Sequence, residues 1–142
     1  MLFRSYRPVG ATDSERAFCY LLERLLAAYP EGTGDLKALH GTIGEVAAYF
    51  REHGECNFLL SNGDVLFAHC ATNLGYILRR APFPRAHLVD EDYEVDFNTV
   101  ASPTDRAVVI ATKPLTDNEV WTAMKPGELL AFRDGEPVSP AA

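Results

Sequence analysis

Four consecutive oxygen-bearing side chains, Thr12-Asp13-Ser14-Glu15, stand between the loop Pro8-Val9-Gly10-Ala11 and a long apolar-periodic run beginning at Phe18. The spacing is that of a capping box. The Thr12 hydroxyl can accept from the backbone N–H of Glu15, while the Glu15 carboxylate reaches back to the N–H of Thr12. Asp13 then falls in the first helical turn, where the positive end of the helix dipole favours a carboxylate. A carboxylate held in that position can form a strong, charge-assisted bond to an ammonium ion. The cap by itself accounts for the run as structure, so a ligand role for Asp13 needs support from the rest of the chain.

The other residue types that could do chemistry are three cysteines, Cys19, Cys56 and Cys70, and four histidines. The cysteines are widely spaced and form neither an even disulfide framework nor a metal-binding pattern. Cys19 lies inside the first expected helix and reads as a small packed residue. His40 and His53 fall on or near the second expected helix, without a partner at metal-ligand spacing, and read as surface or boundary residues. His69 and Cys70 are neighbours on an expected strand, so they point to opposite faces and cannot form a dyad with each other. A cysteine hydrolase using one of these thiols with a histidine is an alternative for which no local signature is present.

The elements that must position these groups are legible as patterns. Phe18, Leu21, Leu22, Leu25, Leu26 and Tyr29 recur at helical spacing, opposite Glu23 and Arg24, until Pro30-Glu31-Gly32 ends the helix. Thr33-Gly34-Asp35 opens a second helix with Leu36, Leu39, Ile43, Val46, Ala47 and Phe50 on its buried side and Gly54 as its C′ residue. Two apolar runs then flank Asn62-Gly63, a strong hairpin signal. Further strands are expected at 76–81, 86–89, 107–112 and 128–132, with a tight turn at Asp134-Gly135 and a frayed tail from Pro137. The stretch 90–97 alternates acidic with apolar residues and reads as a strand with one solvated edge. Arg79, Arg80 and Arg85 are its available counter-charges.

Composition sets the outer bounds. The chain has 142 residues, 47% apolar and 23% charged, as for one soluble globular domain. A net charge of −7 argues against general binding of nucleic acid, which requires a basic face. No apolar run approaches the roughly 20 residues of a membrane helix, and the first seven residues do not form a signal peptide. A reduced, cytoplasmic location is the expectation.

The run PVGATDSERAFCYLL resembles the corresponding segment of class II glutamine amidotransferases, which are N-terminal-nucleophile hydrolases. Three later segments occur in the same order in the stand-alone, YafJ-like bacterial branch. They are 57–63 (NFLLSNG), 79–83 (RRAPF), and 109–119 (VIATKPLTDNE) with Trp121 and Pro126-Gly127-Glu128. The resemblance runs from about Arg7 to Glu136 and implies that Asp13 binds the α-ammonium group of glutamine or of another γ-glutamyl amide. Thr12 would support it by fixing the turn, and no cofactor is implied. The implied fold is α+β: part of an αββα sandwich, with two N-terminal helices followed by a mostly antiparallel sheet.

The family's nucleophile is an N-terminal cysteine exposed after methionine removal, whereas Met1 is followed here by Leu2. The family's carboxylate-binding arginine and oxyanion Asn-Gly pair precede the aspartate segment, so Asn62-Gly63 reads as a hairpin turn instead. The chain therefore resembles the C-terminal half of such a domain, with no catalytic residue of its own. One helical layer and much of one sheet are expected, with apolar surface left where a second sheet should pack. Such a half, inactive alone, would have the missing N-terminal half as its partner. A non-catalytic binding module, or half of a split enzyme completed by another chain, is the alternative.

Overall fold

The computed structural model describes residues 5–83, 85–90, 94–96 and 102–140. These form two helices followed by antiparallel strands, an α+β chain as expected. The chain divides into two compact units, residues 1–56 with 140–142 and residues 57–139.

The first unit is a helical hairpin. Helix α1 spans Asp13–Ala28 and helix α2 spans Leu36–Arg51. Each begins at a side chain that accepts from otherwise orphaned backbone N–H groups. Thr12 caps α1, and Asp35 Oδ1 accepts from Lys37 and Ala38 at the start of α2. Tyr20 meets Tyr49 and Phe50, with ring centroids 5.1 and 6.0 Å apart, and Arg24 approaches Glu45. The helices therefore run antiparallel. The Tyr29 hydroxyl closes the far end, donating to Ala38 O and meeting the Thr42 hydroxyl, both at 3.0 Å.

Cys19 and Leu21 are buried on α1, whereas Phe18, expected on the same stripe, is half exposed. Helix α2 ends ahead of the expected glycine stop. Glu52 is its C-cap, and the His53 ring donates from Nδ1 to Tyr49 O at 2.8 Å, so a side chain closes the last turn before Gly54.

The second unit holds the strands. Strands β1 (Phe58–Ser61) and β2 (Leu66–His69) form the expected hairpin, with Phe58 opposite His69 and Ser61 opposite Leu66. Its connection is wider than a two-residue turn. Asn62 Oδ1 accepts from both Asp64 and Val65, and Gly63 takes the positive φ that the turn requires. Strand β3 (Gly75–Arg80) precedes a two-stranded ribbon of β4 (Ala86–His87) and β5 (Glu94–Val95). Within the expected acidic strand at 90–97, Glu94–Val95 forms β5, and residues 91–93 and 97 lie outside the described residues. Strands β6 (Arg106–Ala111), β7 (Thr122–Ala123), β8 (Leu129–Arg133) and β9 (Glu136–Val138) complete the unit.

The strands do not form one sheet. They pair as β1-β2-β8-β9 and as β6-β3-β7, all antiparallel. Leu66, Ala68, Leu130 and Phe132 from the first sheet pack against Tyr76, Leu78, Val108 and Ile110 from the second, around buried Cys70, Leu74 and Met124. Tyr76 meets Phe132 edge-on across this layer at 5.3 Å. The expectation of a single sheet with a bare apolar face is therefore corrected. Side chains alternate along each strand, and the alternation in β2, β8, β3 and β6 supplies two apolar faces that cover each other. The other face of β2 and β8 also carries buried residues, Phe67, His69 and Ala131.

The tail is corrected too. Asp134 and Gly135 both have positive φ, as a two-residue hairpin demands, so Glu136–Val138 folds back on β8 rather than fraying. A Cβ on Gly135 would lie 2.7 Å from the Arg106 carbonyl carbon, so the turn packs tightly on the start of β6. Glu136 there pairs with Arg80 and Arg106.

One buried polar network secures the loop between β6 and β7. Arg79 on β3 donates Nε to Glu119 Oε1 at 2.9 Å and Nη2 to Glu119 Oε2 at 2.5 Å. The Thr116 hydroxyl donates to Glu119 Oε2 at 2.7 Å and accepts from the Trp121 indole N–H at 3.0 Å. The Glu119 side chain is 3% exposed and that of Arg79 12%. Arg79 pairs with Glu119 and Arg80 with Glu136, while Arg85 approaches Asp96 of the acidic stretch.

Removing one member of a buried pair leaves an uncompensated charge. Glu119→Ala is expected to lower stability by about 3–5 kcal/mol in equilibrium urea unfolding. The double change Arg79→Met with Glu119→Leu should recover more than half of the loss. Equal losses for the single and double variants would show that the pairing is not what matters.

Candidate functional site

Asp13 is exposed at the first residue of α1. Thr12 Oγ1 accepts from the Glu15 N–H at 3.3 Å, the first half of the expected capping box. The second half differs. Glu15 reaches past Thr12 and accepts from Val9 N–H at 2.7 Å and Gly10 N–H at 2.8 Å, one on each oxygen. Gly10 is the physical reason, because a Cβ at that position would stand 2.7 Å from Glu15 Oε2. The absent side chain lets the loop close on the carboxylate. Asp13 itself accepts only from the Ser14 N–H, at 2.8 Å, and forms no ion pair with lysine or arginine among the described residues.

The antiparallel hairpin sets the start of α1 beside the end of α2. Between them lies a cleft of about 210 Å³, walled by Asp13, Ser14 and Ala17 on one side and by Phe50, His53, Gly54, Glu55 and Cys56 on the other. Among the described residues, two carboxylates and no lysine or arginine line it. The carbonyl end of α2 adds partial negative charge. Cys56 reports this field. Burial pushes its thiol above the ordinary value, and the Asp13 carboxylate pushes it further in the same direction.

That environment suits a cation and opposes a thiolate. Cys56 shares the cleft with His53, but a nucleophilic cysteine needs its thiolate favoured, and here both influences disfavour it. Cys19 and Cys70 are buried, with Cys70 Sγ 3.9 Å from Met124 O. His69 is buried and stacks on Phe58, centroids 5.0 Å apart. Among the described residues no group of three or more His, Cys, Asp or Glu side chains converges as metal ligands.

Of the residues singled out in sequence, Asp13 lines the cleft and Thr12 precedes it as the helix cap. His53, read as a boundary residue, is in its wall, and Glu55 carries no signal in the sequence at all. Their link to Asp13 is made by the helical hairpin, and no local spacing encodes it.

Comparison with known proteins places the chain in a family. The family model described as Glutamine amidotransferases class-II matches residues 2–142. YafJ of Escherichia coli K12, a putative glutamine amidotransferase, is 48% identical over 134 residues, covering 94% of this chain and 52% of YafJ. A putative glutamine amidotransferase from Haemophilus influenzae Rd is 41% identical over 133 residues, covering 94% of this chain and 45% of its own length. The crystal structure of a predicted glutamine amidotransferase from Pseudomonas aeruginosa PA01, 46% identical, matches with a TM-score of 0.84 over 94% of this chain and 53% of that one. The chain spans about half the length of these relatives. With its family model matched across nearly every residue and its fold shared with a solved relative, the chain belongs to the class II glutamine amidotransferases.

Proposed function

We propose that Asp13 binds the α-ammonium group of glutamine, or of another γ-glutamyl amide, in a glutaminase-type hydrolysis of the side-chain amide. The observation that carries this reading is an exposed carboxylate at a helix start, lining a cleft in which no lysine or arginine stands among the described residues. An ammonium ion supplies the missing charge and can take the second Asp13 oxygen in a charge-assisted bond. Thr12 contributes by capping the turn that carries Asp13.

The same cleft offers no activated nucleophile, since the Cys56 thiol is raised and Cys19 and Cys70 are packed in cores. These 142 residues therefore act as the substrate-amine side of the active site, and the attacking thiol, the carboxylate-binding arginine and the oxyanion donors come from additional polypeptide. That polypeptide is a preceding segment of the same protein or a separate chain. The half-length coverage of the relatives fits either arrangement. All three cysteines remain thiols, which suits the reducing cytoplasm, and among the described residues no helix is long and apolar enough to cross a membrane.

Two measurements test the reading. Incubated with glutamine, the 142-residue chain should release no ammonia above the buffer control. Release that disappears in Asp13→Asn would overturn the claim of inactivity. In a complete protein that hydrolyses glutamine, Asp13→Asn should raise KM by about tenfold or more, as expected when a charged hydrogen bond to substrate is lost.

The field at Cys56 gives a pH prediction. Because burial and Asp13 both favour the neutral thiol, its alkylation by iodoacetamide should rise at higher pH than for a free cysteine. In Asp13→Asn the midpoint should move down, but not all the way, since burial remains. An unmoved midpoint would show that Asp13 does not act on the cleft.

A further inference from the structure

Asp13 has a carboxylate neighbour two residues on, and that neighbour has a counterpart further along the same helix. Glu15 and Glu23 are two turns apart on α1, so they project from the same side. Between them they accept four backbone N–H groups from the segment that precedes the helix. Glu23 Oε1 takes Tyr6 at 2.6 Å and Ser5, while Glu15 takes Val9 at 2.7 Å and Gly10 at 2.8 Å. Among the described residues, no backbone-to-backbone bond outside regular structure involves residues 5–11. The segment is also exposed, Val9 almost completely, so apolar burial does not hold it.

We infer that Glu15 and Glu23 form a carboxylate clamp that fixes residues 5–10 along α1, and that Glu15, through Val9 and Gly10, is a positioning residue for Asp13. The mechanism is geometric. Charged acceptors bind N–H groups roughly twice as strongly as neutral ones, and Glu15 spends one oxygen on each of two successive amides. This leaves the Val9–Thr12 turn a single course into the helix and sets where Asp13 stands at the cleft edge. Gly10 is the other half of the device, since any side chain there would push Glu15 Oε2 away. Glu23 anchors the far end of the segment and acts on Asp13 less directly. The inference rests on the proposed role of Asp13 as the ammonium ligand, but the clamp itself can be tested without substrate.

Cys56 serves as the reporter, because it feels the Asp13 charge across the cleft. The other titratable groups lining that cleft are His53 and Glu55, which none of the variants alters. The pH midpoint of Cys56 alkylation is compared in the 142-residue chain for Glu15→Ala, Gly10→Ala and Glu23→Ala, each made alone and each combined with Asp13→Asn. Cys19, packed inside α1, must stay unreactive as the check that the hairpin is folded.

With Asp13 present, Glu15→Ala and Gly10→Ala should both lower the midpoint, giving about twofold faster alkylation at pH 8 once the carboxylate drifts from the thiol. Glu23→Ala should do so less. In the Asp13→Asn background neither change should lower the midpoint further. A midpoint that stays put with Asp13 present, or falls equally without it, would overturn the clamp as a positioning device. Should Glu15→Ala expose Cys19, Gly10→Ala decides the question, since it leaves every helical residue unchanged. Loss of the clamp effect would leave the glutamine KM of Asp13→Asn unaffected, so the two readings fail separately.

Discussion

A carboxylate can do without a counter-ion of its own when backbone N–H groups and a helix dipole face it. That constraint governs the start of α1. Asp13 takes the Ser14 N–H and sits at the positive helix end, both of which stabilise its negative charge, and it lines a cleft. Were a lysine or arginine provided instead, the group would be stable but occupied. The helix start thus separates two jobs that one ion pair would combine. It supports the charge and leaves it available.

The strand unit solves a different problem with the same economy of polar groups. Its two sheets bury their facing sides against each other within this unit. The long loop from β6 to β7 is held in part by Glu119. That carboxylate receives Arg79 from β3 and the Thr116 hydroxyl, while Trp121 donates to Thr116. The loop's course is set by directional bonds in a nearly dry setting, where each is electrostatically stronger than in water.

What can be read from the sequence is what is encoded locally. The caps at Thr12 and Asp35 are legible because the side chain and the amides it serves are within three residues. The hairpin at Asn62-Gly63 is legible for the same reason, although Asn62 Oδ1 widens the connection by binding two amides beyond it. The α+β class and the family resemblance follow from such pieces in order. The pairing of β2 with β8 is not legible, since nothing in Leu66–His69 points to Leu129–Phe132. The two-sheet layer depends on that pairing and is hidden with it. The cleft is hidden likewise, because Asp13 and Cys56 meet only when two helices fold back on each other.

The resemblance draws much of its weight from segments far along the chain from Asp13, such as Arg79-Arg80-Ala81-Pro82-Phe83 and the run ending at Glu119 and Trp121. Their side chains turn out to be occupied with one another. Arg79, Thr116, Glu119 and Trp121 satisfy each other's polar groups, and Arg80 serves Glu136. A buried network of this kind tolerates little change, because deleting any one member strands the rest. These segments therefore identify the fold through architecture, whereas the substrate-facing chemistry proposed for this chain falls on a single exposed aspartate and the turn that aims it. A motif's diagnostic value and its closeness to the proposed chemistry are separate properties.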